Sequence, residues 1–160
     1  VYVGVMMSFI YQIRELQNGG EFVVLLFLAA WGNDTLAYCT GMLIGKHKMS
    51  PILSPKKSIE GLIGGIVGAA ILGGLYGMYL NTYIRFSFNP VTMFPVICGL
   101  GGAVSVIGDL AASAIKRDSG IKDYGTLIPG HGGILDRFDS IIFIAPVIYY
   151  LTVMISGGAI

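Results

Sequence analysis

Charge is scarce in this sequence. Lys, Arg, Asp and Glu make up 12% of its 160 residues, against 54% hydrophobic, where a soluble domain carries about a quarter charged. A chain so short of charge cannot clothe a water-facing surface and reads as a membrane protein. A net charge of +1 leaves no basic field for a polyanion, which argues against a nucleic-acid partner. Cysteine and histidine number two each. Cys39 and Cys98 stand alone in apolar stretches with no C-x-x-C spacing, so both read as packing filler and a zinc site is excluded. No G-x-x-x-x-G-K-[ST] run is present, so this is not a P-loop protein. No Ser–His or Cys–His pairing points to a covalent nucleophile.

What is abundant is uninterrupted apolar sequence. Four stretches are long enough, or nearly so, for the roughly 20 residues that span hydrocarbon: Phe22 to Gly45 (broken only by Asp34), Gly61 to Ile84, Phe86 to Gly108, and Ser140 to Ile160. Val1 to Ile13 is a fifth, shorter run. It lacks a basic leader and a small-residue cleavage site, so it reads as the remainder of a membrane helix and not as a signal peptide. The expected fold is all-α: a polytopic transmembrane bundle of about five helices, forming one membrane-embedded domain over residues 1–160. The start at Val1 suggests the C-terminal portion of something longer.

The remaining charge is placed unevenly. Lys46, Lys48, Lys56 and Lys57 occupy one loop, and Lys116, Arg117, Lys122 and Arg137 another. A pair of crossings separates these loops, so parity puts them on one side, with Arg14 and Arg85 on the other. Short basic loops stay cytoplasmic. The expected location is therefore the inner (cytoplasmic) membrane, with both charged loops facing the cytosol.

Acids in apolar surroundings are costly and read as functional by default. Asp34 precedes Lys46 by twelve residues and Asp109 precedes Lys116 by seven, depths of at most roughly 18 Å and 10 Å along a helix. The structural alternative for each is pairing with a Lys or Arg from a neighbouring helix. Asp136 and Asp139, three apart at the start of the last helix, share one face. Capping of the helix N-terminus explains one of them, but not three acids converging, with Asp109, on one boundary. Gathered carboxylates suit Mg²⁺.

Two loops carry complementary features. In S-P-K-K-S-I-E-G, from Ser54, Pro55 stops a helix and holds the loop open, while Lys56 and Lys57 offer charge to a phosphate or to anionic lipid heads. Ser58, ahead of Glu60 and Gly61, reads as a helix start. Pro129-Gly130-His131-Gly132-Gly133 cannot be helical, and its glycines let backbone N–H groups approach a phosphate. His131 reads there either as a proton carrier or as an orienting hydrogen-bond partner. Within Gly61 to Gly77, G-x-x-x-G spacing recurs at Gly61–Gly65, Gly64–Gly68 and Gly73–Gly77. Such spacing favours close helix packing, either inside one chain or in a homodimer.

The stretch from Ser113 to Asp139 goes further. Ser113, Lys116, Arg117, Lys122, Asp123, Pro129, His131, Gly132, Gly133, Asp136, Arg137 and Asp139 fall in register on a pattern that resembles the signature of the phosphatidate cytidylyltransferases. W-G-N-D-T-L-A-Y (Trp31 to Tyr38), Gly45-Lys46, S-P-K-K-S-I-E-G (Ser54 to Gly61) and I-G-D-L (Ile107 to Leu110) resemble segments of the same family in the same order. The chain departs from it at Ala112, where many relatives carry Glu, and in having fewer N-terminal helices.

The resemblance implies synthesis of CDP-diacylglycerol and pyrophosphate from CTP and phosphatidate in the lipid bilayer, with Mg²⁺ and, as a second ion, a monovalent cation such as K⁺. It implies metal ligation by Asp109, Asp136 and Asp139, and phosphate contacts from Lys56, Lys57, Lys116 and Arg117. Asp34 would be a polar anchor in the cavity, and the turn at His131, Gly132 and Gly133 would position the triphosphate. Ser54, Lys122 and Arg137 complete the implied nucleotide-binding set. Two other functions stay open on the sequence: a CTP-dependent polyprenol or phytol kinase, which would release CDP, and an ion-coupled transporter using Asp34 and Asp109.

Overall fold

The computed structural model describes residues 2–50, 54–118, 120 and 135–156, with the backbone alone for residues 2, 50, 54–56, 135–137 and 139. The described chain is helical apart from one small hairpin and short connections. Helix α1 covers Tyr2–Glu15 and α2 Gly19–Phe27; a π-helical segment, Leu28–Gly32, leads without a break into α3, Asn33–Ile44. Strands β1 (Lys48–Ser50) and β2 (Ser54–Ser58) follow, then α4 (Ile59–Tyr83), α5 (Pro90–Asp118) and α6 (Leu135–Ile155). Three helical stretches, Gly19–Ile44, Ile59–Tyr83 and Pro90–Asp118, are long and apolar enough to cross a membrane, and Ser140–Ile155 is a shorter apolar helix. The chain is accordingly a multi-pass, all-helical membrane bundle.

Helix α4 shows how sequence becomes packing. Ser58 caps its N-terminus, its hydroxyl accepting from the Gly61 N–H at 3.1 Å, which satisfies a donor the first turn leaves open. Gly61, Gly65, Ala69, Gly73 and Gly77 recur every fourth residue and are buried. Ile63, Val67, Ile71 and Leu75 repeat on the same period and are exposed, as a lipid-facing stripe must be. The small face lets backbones meet. A Cβ at Gly65 would stand 2.7 Å from Asn33 Oδ1, and one at Gly77 2.5 Å from the Pro90 carbonyl. The glycine seam is therefore intramolecular, against α3 in its first half and α5 in its second.

Helix α5 is the axis of the bundle, with Phe94, Ile97, Cys98, Gly101 and Gly102 buried. Asn89 starts it by accepting from the Val91 N–H at 3.0 Å. The charge-free run from Phe86 does not mark the helix. Residues 84–89 are non-helical, and Phe86 and Phe88 fold back onto Phe22 and Phe94 to close one end of the bundle. The helix also continues past Gly108 to Asp118, which leaves Asp109 inside it and not at its tip. Helix α6 packs between α5 and α1, with Ile141, Ile144, Ala145 and Ile148 fully buried.

The loop after α3 differs from the open loop that Pro55 predicts. It is an antiparallel hairpin pairing Lys48 with Ser58 and Ser50 with Ser54, and Pro55 lies in β2, where a two-stranded ribbon tolerates a missing N–H. An isolated hairpin is marginal in water; here Glu60 clasps its base. The Glu60 carboxylate accepts from the backbone N–H of Lys46 at 3.1 Å and of His47 at 3.2 Å, and meets His47 Nδ1 at 2.6 Å. The Ile59 N–H adds a bond to the His47 carbonyl at 3.0 Å.

Candidate active site

Between α3, α4, α5 and the hairpin lies a cavity of about 580 Å³. Asn33, Asp34, Ala37, Tyr38, Gly41 and Met42 of α3 form one wall; Ser58, Gly61 and Leu62 begin the second. Lys48, Met49 and Lys57 come from the hairpin, and Val106 and Asp109 from α5. The lining is amphipathic: Tyr38, Met42, Met49 and Leu62 give it oily sides, while Asp34, Lys48, Lys57 and Asp109 concentrate charge. Such a space fits a ligand with a charged head and an apolar body.

Asp109 is the pivot. Lys57 Nζ donates to its Oδ2 at 2.5 Å, and the Ser140 hydroxyl donates to its Oδ1. The partners lie 52 and 31 residues away in sequence, so β2, α5 and α6 converge on one carboxylate. The Lys57 and Asp109 side chains keep 34% and 17% of their exposure, enough for a ligand to compete for either. An ion pair inside an apolar bundle offsets the cost of each charge but leaves each costly if the other departs.

Helix geometry explains how these groups meet. The π-helical segment inserts an extra residue per turn and rotates everything after it. As a result Trp31 is half exposed, Asn33 is fully buried, and Asp34 reaches the cavity. The amide of Asn33 sits against Gly65 and Gly102, and neither its Oδ1 nor its Nδ2 has a hydrogen-bond partner among the described residues.

The residues singled out from the sequence distribute as follows. Asp34, Lys57 and Asp109 share the cavity. Lys116 and Arg117 lie in the last turn of α5, about two turns beyond Asp109, and are not among the residues lining it. Lys116 is half-buried and Arg117 exposed. Asp136, Arg137 and Asp139 have described backbone in the opening turns of α6, and Ser54 and Lys56 in β2; their side chains lie outside the description. Lys122, His131, Gly132 and Gly133 lie outside the described residues altogether. Among the described residues no three His, Cys, Asp or Glu side chains gather as a metal cluster. Ser140, the residue after Asp139, nevertheless brings the first turns of α6 up to Asp109.

Sequence reasoning missed Ser140, Asn33 and the Glu60 clasp. Ser140 adjoins the acidic signature, which was the available cue. The alternative of a paired acid placed the partner on a neighbouring helix, whereas Lys57 reaches Asp109 from the hairpin strand β2.

Residues 1–155 match the Cytidylyltransferase family. The chain is 37% identical over 154 residues to the phosphatidate cytidylyltransferase of Staphylococcus saprophyticus, an alignment covering 96% of this chain and 56% of that protein. Against its namesake in Staphylococcus haemolyticus it is 38% identical over 152 residues, covering 95% and 56%. Against that of Staphylococcus aureus strain COL it is 41% identical over 156 residues, covering 95% and 56%. This chain thus spans little more than half the length of these relatives. With a match over nearly all of its own length, the chain belongs to the cytidylyltransferase family.

Proposed function

We propose that this chain carries the catalytic part of an integral-membrane phosphatidate cytidylyltransferase, joining CTP and phosphatidate to give CDP-diacylglycerol and pyrophosphate. The observation that carries the reading is the Lys57–Asp109 pair, set in a cavity that joins charged groups to oily walls. The lipid phosphate is already an anionic nucleophile, so the protein's work is to hold two polyanions in line and neutralise charge at the α-phosphorus. The charged head of each substrate would gather at the Lys48–Lys57 end, with the glyceride body along Tyr38, Met42 and Leu62.

The donors at this site, carboxylate and hydroxyl without thiolate or imidazole among the described lining residues, fit a hard cation such as Mg²⁺. Asp109, with Asp136 and Asp139, would hold it, and its charge would offset the negative charge on the phosphates. A monovalent cation such as K⁺ is a further expected occupant. Lys57, held by Asp109 in the resting site, would pass to a nucleotide phosphate on binding; Lys56, Lys116 and Arg117 would add contacts. The concentration of basic residues at the hairpin end supports an active site facing the cytosol across the cytoplasmic membrane.

Membranes containing the protein, given CTP labelled at the γ-phosphate together with phosphatidate, should release labelled pyrophosphate and form CDP-diacylglycerol. Release of unlabelled CDP with a phosphorylated lipid alcohol would replace this reading by a CTP-dependent kinase.

A further inference from the structure

The two donors on Asp109 are held in very different ways. Lys57 extends from a two-stranded hairpin and its side chain is 34% exposed. Ser140 is 3% exposed and stands on α6 beside the fully buried Ile141 and Ile144. The helix contact behind it is close. Ile144 packs at Gly101, and Phe143 fills the space at Gly108, where a Cβ would come within 2.8 Å of its ring. Gly108 immediately precedes Asp109, so α5 and α6 are locked together one residue from the carboxylate. While those helices stay packed the Ser140 hydroxyl stays beside Oδ1, whereas Lys57 is free to exchange its partner for an incoming phosphate.

We propose that Ser140 is a positioning residue: its hydroxyl fixes the orientation of the Asp109 carboxylate, so that Oδ2 stays aimed into the cavity when Lys57 departs. The assignment rests on the cytidylyltransferase reading for its consequence in turnover, but not for its effect on the carboxylate itself. Without this bond the carboxylate turns about its side-chain torsions. A charge-assisted hydrogen bond of this kind corresponds to a loss of roughly 10- to 100-fold when removed.

The test uses Ser140→Ala, Ser140→Cys (similar volume, weak donor) and Ser140→Thr (hydroxyl retained) in detergent-purified protein. Ala and Cys should lower kcat by roughly 10- to 100-fold with the KM for CTP within about twofold, and Thr should restore most of the loss. A second readout needs no turnover: binding of Mn²⁺, followed by electron paramagnetic resonance without substrates, should weaken in Ala and Cys and recover in Thr. Wild-type kcat and Mn²⁺ binding in Ser140→Ala would overturn the proposal. So would equal losses in all three variants that track a falling thermal midpoint, since that marks a packing role. If the wild-type protein releases no pyrophosphate, the cytidylyltransferase reading fails, and the Mn²⁺ titration still decides the role of Ser140.

Discussion

Lys57 and Asp109, 52 residues apart, meet at 2.5 Å in the lining of the cavity. The lysine comes from a hairpin and the acid from the interior of the longest helix. Each is the charge that makes the other tolerable in an apolar setting, and each is a group a nucleotide–metal complex would engage. Under the proposed function, binding would exchange one partner for another without exposing a bare charge.

Replacing Lys57 with Gln should raise the KM for CTP by roughly tenfold or more, the order of a lost charge-assisted contact, because phosphate contact contributes to ground-state binding. The same variant leaves Asp109 without its cationic partner, so the thermal midpoint in detergent should also fall. CTP kinetics that stay unchanged, while only the response to anionic lipid content shifts, would mark Lys57 as a lipid-facing lysine.

Glu60 governs the hairpin that delivers Lys57. Glu60→Ala removes the acceptor for the Lys46 and His47 backbone N–H groups and for His47 Nδ1. Hydrogen exchange at Lys46 to Lys48 should speed up, and the KM for CTP should rise, while helices α5 and α6 keep their protection. Unchanged exchange at the hairpin base would show that the strands hold without the clasp.

Gly65→Ala should destabilise the bundle by about 1–3 kcal/mol, the usual cost of overpacking, because its Cβ would lie 2.7 Å from Asn33 Oδ1 and 2.8 Å from the Ala37 Cβ. Gly4→Ala is the control, since a Cβ there meets nothing within 4 Å and Ala is the better helix former. Thermal unfolding in detergent should separate the two, and equal midpoints would mean that α3 and α4 slide apart at little cost.

The lipid phosphate should attack without a covalent enzyme intermediate. No Ser–His or Cys–His pair occurs among the described residues of the cavity, and Cys98 is buried among apolar side chains. A chiral α-thio CTP analogue should therefore give net inversion at the α-phosphorus. Net retention would require two displacements, with His131 the first residue to examine as a nucleophile.

The sequence by itself determined the membrane character, the all-helical class, the start of α4 at Ser58 and the candidacy of Asp34, Lys57 and Asp109. Those properties are local or compositional. Hydrocarbon demands long runs without charge, an open first turn demands a cap, and an acid in such a run is conspicuous wherever the chain folds. The tertiary structure alone decided the rest. The π-helical insertion before Asn33 changes which residues face the cavity, and nothing in Leu-Ala-Ala-Trp-Gly announces it, because the backbone change is stabilised by neighbouring helices. The loop at Lys46 to Glu60 closes into a hairpin because Glu60, after the helix start, reaches back to it. The pairing of Asp109 with Lys57 and Ser140 depends on three elements meeting, which is set by the glycine faces that let α3, α4 and α5 approach and by Phe143 seating α6 against Gly108. Contacts across such sequence distances follow from packing, and packing is a property of the whole bundle, not of any one segment.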